Sequence, residues 1–264
     1  MSHIENLFAM LRQTGRKALM PYVTMGYPAL ESALDIVPAI AEAGADLVEL
    51  GVPFSDPLAD GATIQAAAQH ALENGMSLAL CLEQAAALRA KGVTIPFVLM
   101  GYYNPIVQFG IERFAARAAE VGIDGLIVPD LPPEESDALY AAAMAHGLDF
   151  ILLLAPTSNA ARVQMVAAKS TGFVYLVSLV GVTGARAALP PDLADFVARV
   201  RAVTEKPLAV GFGIGTPEQA AQVAHVADGV IVGSALVKAV GAAAHPAEAA
   251  RAFVAGLRAG MDRS

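Results

Sequence analysis

Eight short apolar runs punctuate the chain, at residues 19–24, 47–50, 97–100, 125–128, 150–154, 174–178, 208–211 and 229–232. They are rich in Val, Ile and Leu and show little strict alternation of apolar with polar positions. A strand with one wet face alternates; a parallel strand covered on both faces does not, and these runs read as the second kind. Between them lie stretches with helical spacing, including 31–43, 77–91, 111–121, 133–146, 160–170, 192–203 and 217–224. Ahead of the first run, residues 1–17 read as an amphipathic helix.

The punctuation agrees with this reading. Leu131-Pro132-Pro133-Glu134-Glu135 and Thr216-Pro217-Glu218 place proline and acids where helices begin. Thr157-Ser158-Asn159 offers capping side chains ahead of another. The returns to the strands repeat a phrase: Ala43-Gly44-Ala45-Asp46, Val121-Gly122-Ile123-Asp124-Gly125 and Val226-Ala227-Asp228-Gly229. Glycine just past a helix end supplies the left-handed geometry of a stop. Eight strand–helix pairs in 264 residues have the size and rhythm of a closed (β/α)8 barrel, here with an extra N-terminal helix. An open doubly wound sheet is the alternative, but it needs edge strands, and no run is polar enough to be one. With no linker and no break in composition, residues 1–264 read as one domain.

Composition narrows the function. Hydrophobic residues make up 56% of the chain and charged residues 16%, enough apolar surface for a large core. The formal charge of −8, from 17 basic and 25 acidic residues, argues against nucleic-acid binding. It also requires that a phosphate ligand be gripped locally, against the overall field. A single cysteine, Cys81, excludes an intrachain disulfide and fits a reducing, cytoplasmic setting. The five histidines, at 3, 70, 146, 225 and 245, have no metal-ligand spacing, so no metal is expected. The N-terminus does not read as a signal peptide, and no apolar run is long enough to span a bilayer.

The candidate chemistry sits at the strand ends, where barrels of this kind carry their function. Val48-Glu49-Leu50-Gly51-Val52-Pro53-Phe54-Ser55-Asp56-Pro57-Leu58-Ala59-Asp60-Gly61 places one carboxylate in a core strand and a second after a proline-rich loop. A buried glutamate is costly unless it is used or paired, so Glu49 is either catalytic or a hydrogen-bonded structural residue. Two carboxylates in different surroundings can take different acid–base roles. Gly211-Phe212-Gly213-Ile214-Gly215 and Gly233-Ser234-Ala235 end the last two strands, and together they suggest a backbone phosphate cup at a helix start. Loop 181–186 is small and polar, either a surface connection or a lid. Of the tyrosines at 22, 102, 103 and 175, only Tyr22 and Tyr175 carry weight as site residues, since an aromatic beside a strand is core by default.

The run from Glu49 to Gly61 resembles the signature of the tryptophan synthase alpha chain family. Pro21-Tyr22-Val23-Thr24, Gly181-Val182-Thr183-Gly184, Gly211-Phe212-Gly213-Ile214 and Gly233-Ser234-Ala235 are similar to that family over most of the chain. The resemblance implies a TIM barrel lyase of tryptophan biosynthesis that cleaves indole-3-glycerol phosphate to indole and glyceraldehyde 3-phosphate. It implies Glu49 as general acid/base and Asp60 as the partner that binds the indole N–H and steadies positive charge on the ring. Tyr175 would border the substrate, and Tyr22 and Phe212 would wall the indole. Gly184, Gly213, Gly233 and Ser234 would contact phosphate, and Thr183 would close a lid towards Asp60. The implied partner is a beta chain in an alpha2beta2 heterotetramer, meeting this chain at residues such as Asp56, Pro57 and Asn104. Pyridoxal phosphate belongs to that partner, with no cofactor in this chain. Leu179-Val180 departs from a more polar pair in some relatives, which bears on the lid and on coupling to the partner.

The reaction itself asks for few parts. A reverse aldol at indole C3 needs a proton delivered to that carbon and a proton removed from the neighbouring hydroxyl, with no metal and no Schiff base. One carboxyl of raised pKa and one ionised carboxylate suffice. The alternatives are another phosphate-binding barrel such as a sugar-phosphate isomerase or epimerase, a non-catalytic regulatory barrel subunit, and a stand-alone indole-releasing lyase. On the sequence alone, Gly213→Val is expected to weaken phosphate binding with little loss of thermal stability.

Overall fold

The computed structural model describes residues 1–177, 192–211 and 213–263. The strands among them are β1 (Ala18–Thr24), β2 (Val48–Gly51), β3 (Phe97–Met100), β4 (Gly125–Ile127), β5 (Asp149–Ile151), β6 (Leu153–Leu154), β7 (Val174–Val177), β8 (Leu208–Gly211) and β9 (Gly229–Val232). The helices are α1 (His3–Gln13), α2 (Ala33–Glu42), α3 (Ala62–Glu73), α4 (Leu78–Ala90), α5 (Tyr103–Phe109), α6 (Ile111–Glu120), α7 (Asp137–Ala145), α8 (Ala160–Lys169), α9 (Leu193–Arg201), α10 (Pro217–Val226), α11 (Ser234–Gly241) and α12 (Pro246–Met261).

The strands form one sheet in the order β5-β4-β3-β2-β1-β9-β8-β7-β6, with parallel pairing throughout. Its two ends, β5 and β6, are separated only by Leu152, so the sheet closes on itself as a (β/α)8 barrel. The fifth apolar run is therefore two strand pieces and not one. Its first half pairs with β4 and its second with β7. Between them the Leu152 N–H leaves the ladder and donates to Ser170 Oγ at 3.1 Å, while its carbonyl accepts from Tyr175 N–H at 3.1 Å.

Two apolar layers result. Outward residues of the strands, such as Val48, Leu50, Leu99 and Leu176, pack under the helices. Inward residues, among them Met20, Val98, Ile127, Ile151, Ala209 and Ile231, fill the barrel. The extra N-terminal helix closes the bottom of that interior with Ile4, Leu7, Phe8 and Leu11. Its start is a capping box between Ser2 and Glu5, and Ser2 Oγ also donates to Asp149 Oδ2 at 2.5 Å. At the same end, Arg258 of α12 is buried. It pairs with Asp46 and donates to the carbonyls of Gly44 and Lys17, both at 3.1 Å. The N-terminal end of the barrel is thus sealed, and the open mouth is at the strand C-terminal ends.

Helix starts follow their caps where a side chain makes the cap. Asn159 accepts from Arg162 N–H at the start of α8, and Thr216 forms a capping box with Gln219 at α10. The stretch expected to be helical from residue 133 starts only at Asp137. Its first residues form a turn in which the Pro133 carbonyl accepts from Ser136 Oγ at 3.0 Å and from Lys169 Nζ at 2.7 Å. Helices α3, α5, α11 and α12 add to those that the apolar spacing marked.

Candidate active site

Alternation along β2 turns Glu49 inward, because Val48 and Leu50 are both in the outer layer. In register beside it stand Tyr22 on β1 and Val98 on β3. Glu49 is only 1% exposed, and its Oε1 has no hydrogen-bond partner among the described residues. Burial disfavours its charged form and pushes its pKa from 4.5 up to about 8. A carboxyl left unpaired in a core is expensive, so this position is not held for stability.

Asp60 arrives at the same mouth on the loop after β2. The loop is tied down at its far end: Gln65 Nε2 donates to the Asp60 carbonyl at 2.9 Å, and the Asp60 N–H donates to the Pro57 carbonyl at 3.1 Å. Tyr102 Oη donates to Asp60 Oδ2 at 3.0 Å. Burial raises the Asp60 pKa to about 6, and the bond from Tyr102 opposes the rise. At neutral pH the two carboxyls therefore differ: Glu49 keeps its proton and Asp60 is ionised.

Both carboxyls line one cavity at the barrel mouth. Its apolar walls are Ile64, Met100, Ile214 and Ile231. Tyr22 and Tyr175 complete the lining, each laid across a glycine at the end of a neighbouring strand. A Cβ on Gly51 would lie 2.0 Å from Tyr22 Oη, and one on Gly211 would lie 2.3 Å from Tyr175 Oη. Burial first, then the nearby carboxylates, raises the pKa of both phenols, so both stay protonated.

The opposite wall is backbone. Gly213, Gly233 and Ser234 line the cavity, and Gly233 is the N-cap residue of α11, with no side-chain cap bond. Uncapped N–H groups in the first turn of a helix suit an anion. Gly215 is not part of this wall: its N–H and that of Thr216 donate to Gln219 Oε1 at 2.8 and 3.2 Å. Gly213 has φ of +82°, which disfavours any side chain. Gly213→Val therefore strains the backbone and costs stability as well, contrary to the expectation from sequence.

Of the site residues read from sequence, Glu49, Asp60, Tyr22, Tyr175, Gly213, Gly233 and Ser234 meet around one cavity. Thr183, Gly184 and Phe212, with the rest of loop 181–186, lie outside the described residues. Sequence reasoning set Tyr102 aside as core, yet it holds a catalytic candidate. The partners are 42 residues apart, and no local spacing links them. The apolar walls were missed for a similar reason: Ile64 sits on α3 and Ile214 after β8, and nothing local distinguishes them from core. Among the described residues no group of three or more His, Cys, Asp or Glu is placed to hold a metal ion, and no helix is long and apolar enough to cross a membrane.

Comparison with known proteins gives one consistent answer. Residues 8–262 match the family described as tryptophan synthase alpha chain. The tryptophan synthase alpha chain of Chloroflexus aurantiacus is 55% identical over 237 residues, covering 90% of this chain and 89% of that protein. That of a Roseiflexus species is 53% identical over 260 residues, covering 98% of this chain and all (100%) of the relative. The crystal structure of tryptophan synthase subunit alpha from Legionella pneumophila superposes with a TM-score of 0.93 at 39% identity, covering 100% of both chains. Tryptophan synthase from Mycobacterium tuberculosis superposes with a TM-score of 0.91 at 40% identity, covering 98% of each.

Proposed function

The chain belongs to the tryptophan synthase alpha chain family, whose lyase reaction cleaves indole-3-glycerol phosphate to indole and glyceraldehyde 3-phosphate, and we propose that Glu49 and Asp60 carry that reaction here. The observation that carries this reading is Glu49: a buried carboxyl with an unpartnered oxygen, sharing one cavity with an ionised Asp60 and an uncapped helix start.

Protonated Glu49 delivers its proton to indole C3, which turns the ring into a cationic leaving group. Asp60 accepts a hydrogen bond from the ring N–H and stabilises that charge. Glu49, now a carboxylate, takes the proton from the hydroxyl on the adjacent glycerol carbon. The carbon–carbon bond breaks, its electron pair returns to the ring, and indole and the aldehyde separate. The proton count closes, and Glu49 ends as it began. Gly184, Gly213, Gly233 and Ser234 hold the phosphate and so orient the glycerol chain. Tyr22, Phe212 and Tyr175 flank the substrate, and Thr183 closes loop 181–186 towards Asp60.

The partner is a beta chain carrying pyridoxal phosphate, which consumes the indole in an alpha2beta2 heterotetramer. This reading is supported by the loop tip between the catalytic carboxylates. Leu58 is 91% exposed beside Asp56 and Pro57, and Val107 is exposed on α5, the helix that carries Asn104. Residues 1–264 form one domain in the cytoplasm, without a cofactor of their own. The ring of strands, which draws on the chain from Ala18 to Val232, supports the single domain.

Glu49→Gln tests the assignment. Indole release is expected to fall ~100-fold or more, the contribution of a positioned acid/base, with binding of a phosphate-bearing substrate analogue retained. Turnover above a tenth of the unmodified rate would remove Glu49 from the mechanism.

A further inference from the structure

We propose that Tyr102 is a positioning residue for Asp60: its hydroxyl ties the Asp60 carboxylate to the backbone N–H of Ala59 and so decides which carboxylate oxygen the cavity receives. The inference rests on the role of Asp60 proposed above. Tyr102 Oη donates to Asp60 Oδ2 at 3.0 Å and accepts from Ala59 N–H at 3.1 Å. One phenol oxygen thus engages two consecutive residues of the loop at the point where it re-enters the barrel mouth.

Tyr102 is itself held in place. Its ring stacks on Phe54, from the start of the same loop, with centroids 5.1 Å apart and planes at 29°. It is the N-cap residue of α5, and the next N–H, that of Tyr103, donates to both carboxylate oxygens of Asp130 at 3.0 and 3.2 Å. The loop is therefore clamped on both sides of its exposed tip, at Phe54 and at Ala59-Asp60. Tyr102 is not among the residues that line the cavity, whereas Asp60 is. With Oδ2 engaged by the phenol, Oδ1 is the oxygen left to meet a donor in the cavity.

The bond also acts on charge. A hydrogen bond to a carboxylate favours its ionised form, opposing the burial that raises the Asp60 pKa. The other titratable groups facing Asp60 are Tyr22 from β1 and Tyr175 from β7, both protonated throughout the assay range, and Glu49 from β2, which titrates at higher pH. Asp130 faces Tyr102 from the loop after β4.

The test measures indole release by the full chain from indole-3-glycerol phosphate between about pH 5 and 9. Tyr102→Phe keeps the ring and its stacking on Phe54 and removes only the hydroxyl. The expected result is a kcat about tenfold lower, with KM changed less than about twofold, and an acid limb moved to higher pH by roughly half a unit or more. An acid limb that stays in place overturns the proposal, whether activity is kept or lost, because a merely structural tyrosine would leave it unmoved. Asp60→Asn separates this from the underlying reading. If that variant keeps the acid limb and the activity, the role of Asp60 itself fails. If it loses both while Tyr102→Phe behaves as the unmodified chain, only the positioning role fails.

Discussion

Tyr22 and Gly51 are fitted to one another: the phenol of Tyr22 occupies the space that a Cβ on Gly51 would need, with Oη 2.0 Å and Cζ 2.2 Å from that position. Tyr22 pairs with Glu49 across β1 and β2, and Gly51 lies two residues beyond Glu49 on the same inward face. The missing side chain on β2 therefore lets the tyrosine on β1 lie flat along the cavity wall. Tyr175 and Gly211 repeat the arrangement on β7 and β8.

Gly51→Ala is expected to push the Tyr22 ring off the wall and into the substrate cavity. Activity should fall with a loss of stability of about 1–3 kcal/mol, the usual cost of overpacking. Combining it with Tyr22→Leu removes the colliding atoms. A double-mutant cycle by denaturant unfolding should show a coupling of about 0.5–3 kcal/mol in the restoring direction. Additive losses would mean that the two residues do not share this space.

The rate of lysis should be bell-shaped in pH. Asp60 must be ionised, so activity falls as pH drops through about 6. Glu49 must hold a proton at the start, so activity falls as pH rises through about 8. A profile of kcat/KM for the free enzyme checks both limbs. A flat profile from pH 5 to 9 would contradict both assignments.

Glu49 also makes stability depend on pH. Its pKa is raised on folding from 4.5 to about 8, so its contribution is fully present below 4.5 and is lost as pH rises to about 8. In that window the unfolded chain releases the proton while the native state keeps it. Glu49→Gln has no proton to lose. Its stability relative to the unmodified chain should therefore climb with pH, by at most about 1.4 kcal/mol per pH unit across the window. Thermal unfolding of both proteins at pH 5 and pH 8 measures the change. A constant difference would mean that Glu49 titrates normally in the folded chain.

Much of this site is legible in one stretch of sequence. A glutamate between Val48 and Leu50 sits in a core strand, and the prolines and glycines that follow announce a rigid loop ending at Asp60. The glycines after β8 and β9 announce an anion wall in the same way. Tyr102 shows the limit. Its bond to Asp60 exists only because β2 and β3 are adjacent in the ring.

The chain by itself determines the order of strands and helices, the place of Glu49 in a core strand and the places where backbone can approach a ligand, because periodicity and glycine act over a few residues. The folded barrel alone decides that the fifth strand breaks at Leu152 to meet two different neighbours, that the cavity glycine at 213 takes a positive φ, and that Asp60 is hydrogen-bonded by a tyrosine 42 residues away. Those outcomes depend on which elements end up side by side, and closure of the sheet sets that through contacts distant in sequence.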